Sequence, residues 1–327
     1  MNIRRIIILL ALIIFGKLAQ SQDINFTQFY SDRLYLNPAL AGYTPCNRVF
    51  VSYRNQWPSV QNVYNTYTTS YEMPVHLMHG GVGFRLMHDQ QGSQFKNTNF
   101  DAVYSYHLQV TRDIRVLMGL QASVMVLSQA GGSYAFQSQI NPITGTIDGR
   151  TAVPGRSTIN IDFSTGVYAF AWNFFGGLSV HHLTQPKLME AGDMVARMNM
   201  KYTLSLGAKF DLVKNKRYGY DEFSISPNII GQMQGDNKKV NWGVYIQYGD
   251  LVFGSWVRHV HWAKVSAASI LLGIDKEQWK VGYSYDFSVS KIGYLDGGAH
   301  EITASYTFGC RSGEKYRGHG TITCPSF

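Results

Sequence analysis

The chain has 327 residues, 29 lysines and arginines against 21 aspartates and glutamates, a formal charge of +8, 14% aromatic residues and only 15% charged ones, at a mean hydropathy of −0.13. A basic excess this mild, scattered along the chain rather than gathered in one patch, gives no reason to expect nucleic acid as a partner. Beyond the first fifteen residues no stretch is long and apolar enough for a membrane helix, which leaves a soluble exported β-protein or a transmembrane barrel.

At the N-terminus, Met1 to Arg5 carries two arginines and is followed by the ten-residue apolar run Ile6 to Phe15. That run is too short to span a bilayer, which takes about 20 residues, but it fits the core of a secretory leader. Ala19 and Ser21 would occupy the −3 and −1 positions of a cut before Gln22. Residues 1–21 are therefore expected to be a signal peptide. Its loss removes Arg4, Arg5 and Lys17 but no acid, lowering the formal charge from +8 to +5. No cysteine stands at the cut to carry a lipid anchor.

Residues 22–47 do not alternate and read as loop and short helix. The step Asn37-Pro38-Ala39 interrupts any strand ladder there, because proline has no N–H to donate. From residue 48 onward the pattern changes to period two. It is clearest in Lys280 to Ser290, where Val281, Tyr283, Tyr285, Phe287 and Val289 share one face and Lys280, Gly282, Ser284, Asp286, Ser288 and Ser290 the other. Strands of about ten residues, apolar and aromatic on one face and small or polar on the other, suit a tilted strand with lipid on one side.

The same rhythm predicts strands over Arg48–Trp57, Tyr64–Met73, Gly81–His88, Thr98–Gln109, Arg115–Leu127, Asn160–Ala171 and Phe175–Leu183. It continues over Asn199–Leu212, Glu222–Met233, Lys239–Tyr248, Leu251–Val260, Val265–Ile274, Gln278–Ser288 and Glu301–Phe308. The expected fold is all-β: a transmembrane antiparallel β-barrel of about 14 strands over residues 48–309, set in the outer membrane against its lipid. An even count returns both ends to the periplasmic rim. The 22–47 extension is then periplasmic or a plug, since a wall of this size encloses more room than its own side chains fill. The long linker Leu127 to Ile159 falls on the extracellular side. The basic linker Val213 to Asp221 falls on the periplasmic side, where it is unusually long, so the count leaves open a missed strand. Residues 310–327 form a basic periplasmic tail that is either solvated or a docking segment.

The residues that could carry chemistry do not converge. His259 and His261 share a strand face at a spacing that can bind metal, but no third ligand accompanies them. His181 and His182 are expected on opposite faces, and His76, His79 and His88 are scattered. Asp286 and Glu301 on neighbouring strands are expected to be ordinary solvated lumen polarity. No serine–histidine–acid order stands out, so no catalytic, cofactor-binding or metal residue is assigned and no enzyme activity is expected. Cys46, Cys310 and Cys324 gather at the periplasmic rim of such a barrel, and in an oxidising compartment they allow one disulfide. Three pairings are possible, with a slight preference for a bridge that includes Cys324.

Six motifs carry a resemblance. Residues Phe26-Thr-Gln-Phe-Tyr-Ser-Asp-Arg-Leu-Tyr-Leu-Asn-Pro-Ala-Leu-Ala-Gly42, then Arg54-Asn-Gln-Trp-Pro58, His182-Leu-Thr-Gln-Pro186, Gly282-Tyr-Ser-Tyr-Asp-Phe287, Gly298-Ala-His-Glu-Ile302 and Cys324-Pro-Ser-Phe327 resemble, in order, the PorP/SprF family of type IX secretion system membrane proteins. The resemblance implies an outer-membrane barrel that acts in protein export, and in gliding in some organisms. Such a barrel would either join the outer membrane to periplasmic components of the machinery or hold the C-terminal domain of a secreted adhesin at the surface. Within the first two motifs, Phe26, Phe29, Tyr30, Arg33, Asn37, Pro38, Arg54 and Trp57 are the candidate partner-binding residues. A channel for small hydrophobic molecules of the FadL type is the competing expectation.

Overall fold

The computed structural model describes residues 23–310, apart from 61–63, 136–138, 142–143, 148, 192–193, 214–222, 262–263 and 290–296. The expected signal peptide and the tail with Cys324 lie outside the described residues.

Fourteen antiparallel strands close into a barrel. In chain order they are β1 Asn47–Gln56, β2 Tyr64–Val75, β3 Gly80–Gln91, β4 Phe95–Gln109, β5 Ile114–Gln129, β6 Arg156–Ala171, β7 Phe174–His181, β8 Lys201–Ala208, β9 Phe223–Gln234, β10 Asn237–Tyr248, β11 Leu251–Val260, β12 Lys264–Lys276, β13 Trp279–Ser288 and β14 Ala299–Phe308. Each strand pairs with its sequence neighbours. The ring closes through ten register pairs between β1 and β14, from Asn47 opposite Phe308 to Gln56 opposite Ala299. Closure satisfies the backbone donors and acceptors that hydrocarbon cannot.

Burial runs opposite to that of a water-soluble protein. On β2 the enclosed side chains are Thr66, Thr68, Ser70 and Glu72, and on β8 they are Lys201, Thr203 and Ser205. The faces turned outward carry Leu204 and Leu206 on β8, Ile270, Leu272 and Ile274 on β12, and Val281, Tyr283 and Phe287 on β13, all exposed. Leaving such rows in water would forgo roughly 25 cal/mol for every Å² of apolar surface. Against lipid they are at home, and Trp172, Phe174, Tyr248 and Trp279 near one rim provide the aromatic girdle that sits at headgroup level. That rim also holds both barrel ends and the two-residue turns Trp172-Asn173, Gly249-Asp250 and Glu277-Gln278, while the opposite rim carries the long connections after β5 and β7. Short turns mark the periplasmic side. By the same count Val213 and Phe223 lie on the periplasmic rim, and among the described residues the barrel wall has no strand beyond the fourteen expected. Residues 214–222 between them fall outside the described residues.

Two prolines sit where a missing donor does little harm. Pro74 on β2 lies beyond the last β1 pair, Arg48 opposite Glu72. Pro227 on β9 follows the last β8 pair, Gly207 opposite Asn228, and there the ladder breaks, to resume as Phe210–Val213 beside β9. The Ser226 hydroxyl donates to the Ala208 carbonyl at 2.7 Å, satisfying an acceptor left by the break.

The disulfide joins Cys46 to Cys310 across the β1–β14 seam, with Cα atoms 4.2 Å apart. This corrects the preference for a bridge through Cys324. Closure puts Asn47 opposite Phe308, so the residues just beyond each strand end are already neighbours at the periplasmic rim. Non-reducing peptide mapping of the purified protein is expected to recover the Cys46 peptide linked to the Cys310 peptide. A Cys46–Cys324 linkage would contradict the seam geometry.

Candidate functional site: the lumen plug and the outer vestibule

Residues 23–46 run down the inside of the barrel, from its outer end to the periplasmic rim. Cys46 is fixed at the periplasmic rim by the disulfide, whereas Asp23 touches His182, Lys201 and Gln234 at the outer ends of β7, β8 and β9. The segment turns through a short helix, α1 (Arg33–Leu36), capped by the Asp32 carboxylate, and through a 3-10 turn, Pro38–Leu40, capped by the Asn37 side chain. Proline at the first position of a turn already lacks the donor that would be orphaned there. The loop-and-short-helix expectation for this stretch is met.

The periplasmic half of the lumen is tightly packed. Phe29, Tyr30, Leu36, Ala39, Leu40 and Tyr43 of the plug pack against Tyr168, Phe170, Phe175, Tyr245 and Trp256, which the wall turns inward. Tyr30 meets Phe175 edge-on at 5.9 Å and Phe29 lies 5.0 Å from Trp256. Each fully buried side chain of this size contributes about 1.5–3 kcal/mol. The wall is notched to admit the backbone: a Cβ on Gly119 would stand 2.2 Å from Ala39 N, and one on Gly166 would stand 2.1 Å from Asn37 Oδ1. These glycines pair with each other across β5 and β6. Into that notch Asn37 sends its amide, which donates to the carbonyls of Val167 (3.1 Å) and Leu178 (3.2 Å) while its oxygen accepts from Ala39 N.

Charge fixes the rest. Arg54 bonds Glu301 at 2.8 Å and Asp286 at 2.9 Å, and these two acids bind the plug at Thr27 and Gln28. Glu72 accepts from Arg48 and from Gly42 N, with Arg33 3.6 Å away. Arg85 pairs with Asp101 and reaches Asp32. Truncating one member of a buried pair of this kind typically costs about 3–5 kcal/mol. Asp286 and Glu301 are therefore structural anchors of the plug, and not solvated lumen polarity, because the plug excludes the water that would have solvated them. Thr27, Gln28, Glu72, Gly119 and Gly166 were not singled out from sequence, and period-two alternation carries no mark that distinguishes a plug-binding inner face from a solvated one.

Above the plug a vestibule of about 1060 Å³ lies at the outer end of the barrel, with Asp23, Ile24 and Tyr35 at its floor and residues of β3 to β8 around it. His181 and His182 both line it. Their expected opposite facing is corrected, because β7 ends at His181 and His182 takes a left-handed φ of 61° that swings its ring back inward. His182 donates from Nδ1 to Asp162 at 2.7 Å and from Nε2 to Asp23 at 3.0 Å. Burial alone would lower its pKa, but the two carboxylates raise it to about 9. Burial alone would likewise raise Asp23, but His182 and Lys201 hold its carboxyl well below the usual range.

Of the eight candidate partner-binding residues, Phe26, Phe29, Tyr30, Arg33, Asn37, Pro38 and Arg54 are enclosed in the lumen. Trp57 alone stands half-buried at the outer rim, edge-on to Tyr64. His259 stacks on Trp242 at 6.3 Å, and His261 lies past the end of β11. Among the described residues no group of histidine, cysteine and acidic side chains is arranged to hold a metal.

The raised His182 value sets a pH dependence. A group whose pKa is higher folded than unfolded contributes fully below its unfolded value, about 6.5, and loses that contribution as pH rises through the folded one. The loss is on the order of 3 kcal/mol. A spin label on Ile24→Cys is expected to be immobile at pH 7 and to gain mobility between pH 8 and 10. In the His182→Asn background the label should show no transition in that interval.

No curated protein matches the sequence. By structure the chain is similar to the Acinetobacter baumannii outer membrane protein Omp33 (TM-score 0.46, 8% identity, 80% of this chain and 99% of that one). It is also similar to a Pseudomonas aeruginosa FadL homologue (0.45, 10%, 88% and 99%) and to the KdgM porin (0.36, 7%, 80% and 99%). These are likenesses of barrel wall at low identity and carry nothing about cargo. The family model for type IX secretion system membrane protein PorP/SprF matches residues 18–306, nearly the whole described barrel and its plug. The chain belongs to the PorP/SprF family of type IX secretion system outer-membrane proteins.

Proposed function

We propose that this barrel serves type IX secretion without catalysis, as an outward-facing component that holds exported protein at the cell surface, in the first instance the C-terminal domain of a secreted adhesin. The observation that carries the reading is the one-sided lumen. The plug and the inward aromatics pack the periplasmic half, and the remaining cavity is lined by residues toward the outer ends of β3 to β8. A site reached from outside suits capture better than conduction. A channel for small hydrophobic molecules would need a continuous apolar path, and the apolar half of this lumen is filled by Tyr30, Phe29 and their neighbours.

On this reading residues 1–21 are a cleaved leader, 22–47 the plug, 48–309 the wall and 310–327 a periplasmic tail. In organisms that glide, the held adhesin would bear on motility. Trp57 would meet the partner directly. The enclosed residues Phe26 to Pro38 and Arg54 would act by holding the floor beneath it. The test is affinity purification of the tagged barrel from its own outer membrane in mild detergent, with and without residues 23–45. The intact barrel is expected to carry an adhesin fragment, and the deletion to lose it by at least tenfold. Recovery of periplasmic ring components instead would move the barrel into the export machinery, and recovery of the barrel with lipid alone would overturn the secretion reading.

A further inference from the structure

The polar atoms of the vestibule are unevenly used. Most of its buried charges are spent on one another: Arg85 with Asp101, His182 with Asp162 and Asp23, and Lys201 with Asp23. Asp89, also buried there, accepts from Thr66 and Gln91, and Arg85 Nη1 has no hydrogen-bond partner among the described residues; beside these stand unpaired neutral groups. Asn97 Oδ1, Asn99 Oδ1, Gln121 Oε1 and His181 Nε2 are buried and have no hydrogen-bond partner among the described residues. Asn99, Gln121 and His181 are each more than nine-tenths buried, at 7%, 4% and 6% exposure. A polar atom left so costs about 1–3 kcal/mol unless something pairs with it.

The arrangement of these groups has a repeat. Asn97 and Asn99 stand one two-residue step apart on the inner face of β4, a spacing of about 6.8 Å. Leu127 and Met125 are their register partners on β5, and Gln121 lies two steps deeper than Met125 on that strand. About 6.8 Å is also the repeat of like-facing amides along an extended polypeptide. Met87 and Met125, both buried, border Asn99 on either side in the β3–β4–β5 register. Thioether side chains adapt to varied apolar neighbours, as a sequence-tolerant peptide groove requires. Among the described lining residues, aromatic platforms of the kind a sugar ring would stack on are Tyr35 on the floor and Phe95 at the mouth.

Size limits the occupant further. With strands about 4.8 Å apart, sheets about 10 Å apart and about 3.4 Å of rise, an extended residue fills on the order of 160 Å³. The vestibule therefore admits about six residues. The cavity is blind below, so a chain that enters must either end inside or double back, and six residues leave little room to double back.

We propose that the outer vestibule is a receptor for an extended chain end of a partner polypeptide, whose backbone amides pair with Asn97, Asn99 and Gln121. This deepens the surface-holding reading and rests on it. The test places photoreactive benzoylphenylalanine at Met125 of the full chain in its own membrane, irradiates intact cells and sequences the adduct. A second probe at Leu117, in the sealed half, serves as the control. The expected adduct is a segment within about ten residues of a chain end of an exported protein, with none at Leu117. Its yield should fall at least tenfold in Asn99→Leu/Gln121→Leu. Asn99→Ser/Gln121→Ser serves if the leucine variant fails to assemble, as judged by heat-modifiable migration, and the same loss is expected. An adduct with glycan, lipid or this chain's own loops, or no adduct while the partner still co-purifies, would overturn the proposal and leave the surface-holding reading standing. Absence of any co-purifying partner would overturn both.

Discussion

A closed ring of fourteen strands encloses space that its own side chains do not fill, and everything distinctive about this protein follows from how that space is occupied. The wall can face lipid only if its outer rows are apolar, which drives the polar alternates inward. Those inward groups include buried arginines, aspartates and glutamates that need partners once water is excluded. The N-terminal segment supplies some of them. Its backbone amides at Thr27, Gln28 and Gly42 satisfy Glu301 and Glu72, and its Ser31 carbonyl accepts from Arg48. Plug and wall thus complete each other, and neither inner surface is satisfied alone.

The plug also divides the lumen into two halves of different chemistry. Toward the periplasm the contacts are tight and largely aromatic, with the Arg48–Glu72 pair among them and wall glycines cut away so that backbone can meet backbone. Toward the outside they become sparse and ionic, ending in the Asp23–His182–Asp162 latch. An outward cavity whose floor is its own chain is suited to docking. The family assignment supplies the secretion-system context, and on the proposed reading a partner would arrive from the outer side.

Much of the wall was legible because lipid imposes a strict rule, apolar at every second residue, on strands such as Lys280 to Ser290. The strand count and the non-strand character of the extension followed from that rule and from Asn37-Pro38-Ala39. The inward aromatics were not legible, because alternation assigns rings to lipid by default. Phe174-Phe175 offered a signal, since two adjacent rings on one strand cannot both face outward, but the expected strand began at Phe175 and passed it by. Phe175 is buried and Phe174 exposed. The His181–His182 facing was lost to a strand end that alternation alone does not mark. The disulfide depended on which strand ends closure brings together. The anchoring role of Asp286 and Glu301 depended on a segment more than 250 residues away in sequence.

The most direct test of a lumen closed by its own N-terminal segment is ion conductance through the purified barrel in a planar lipid bilayer. The intact protein should pass no steady current, and removal of residues 23–45, with Cys46 and the seam disulfide retained, should open a stable pore. Steady porin-like conductance through the intact barrel would show that the plug does not seal it, and the outward vestibule would then be the mouth of a channel.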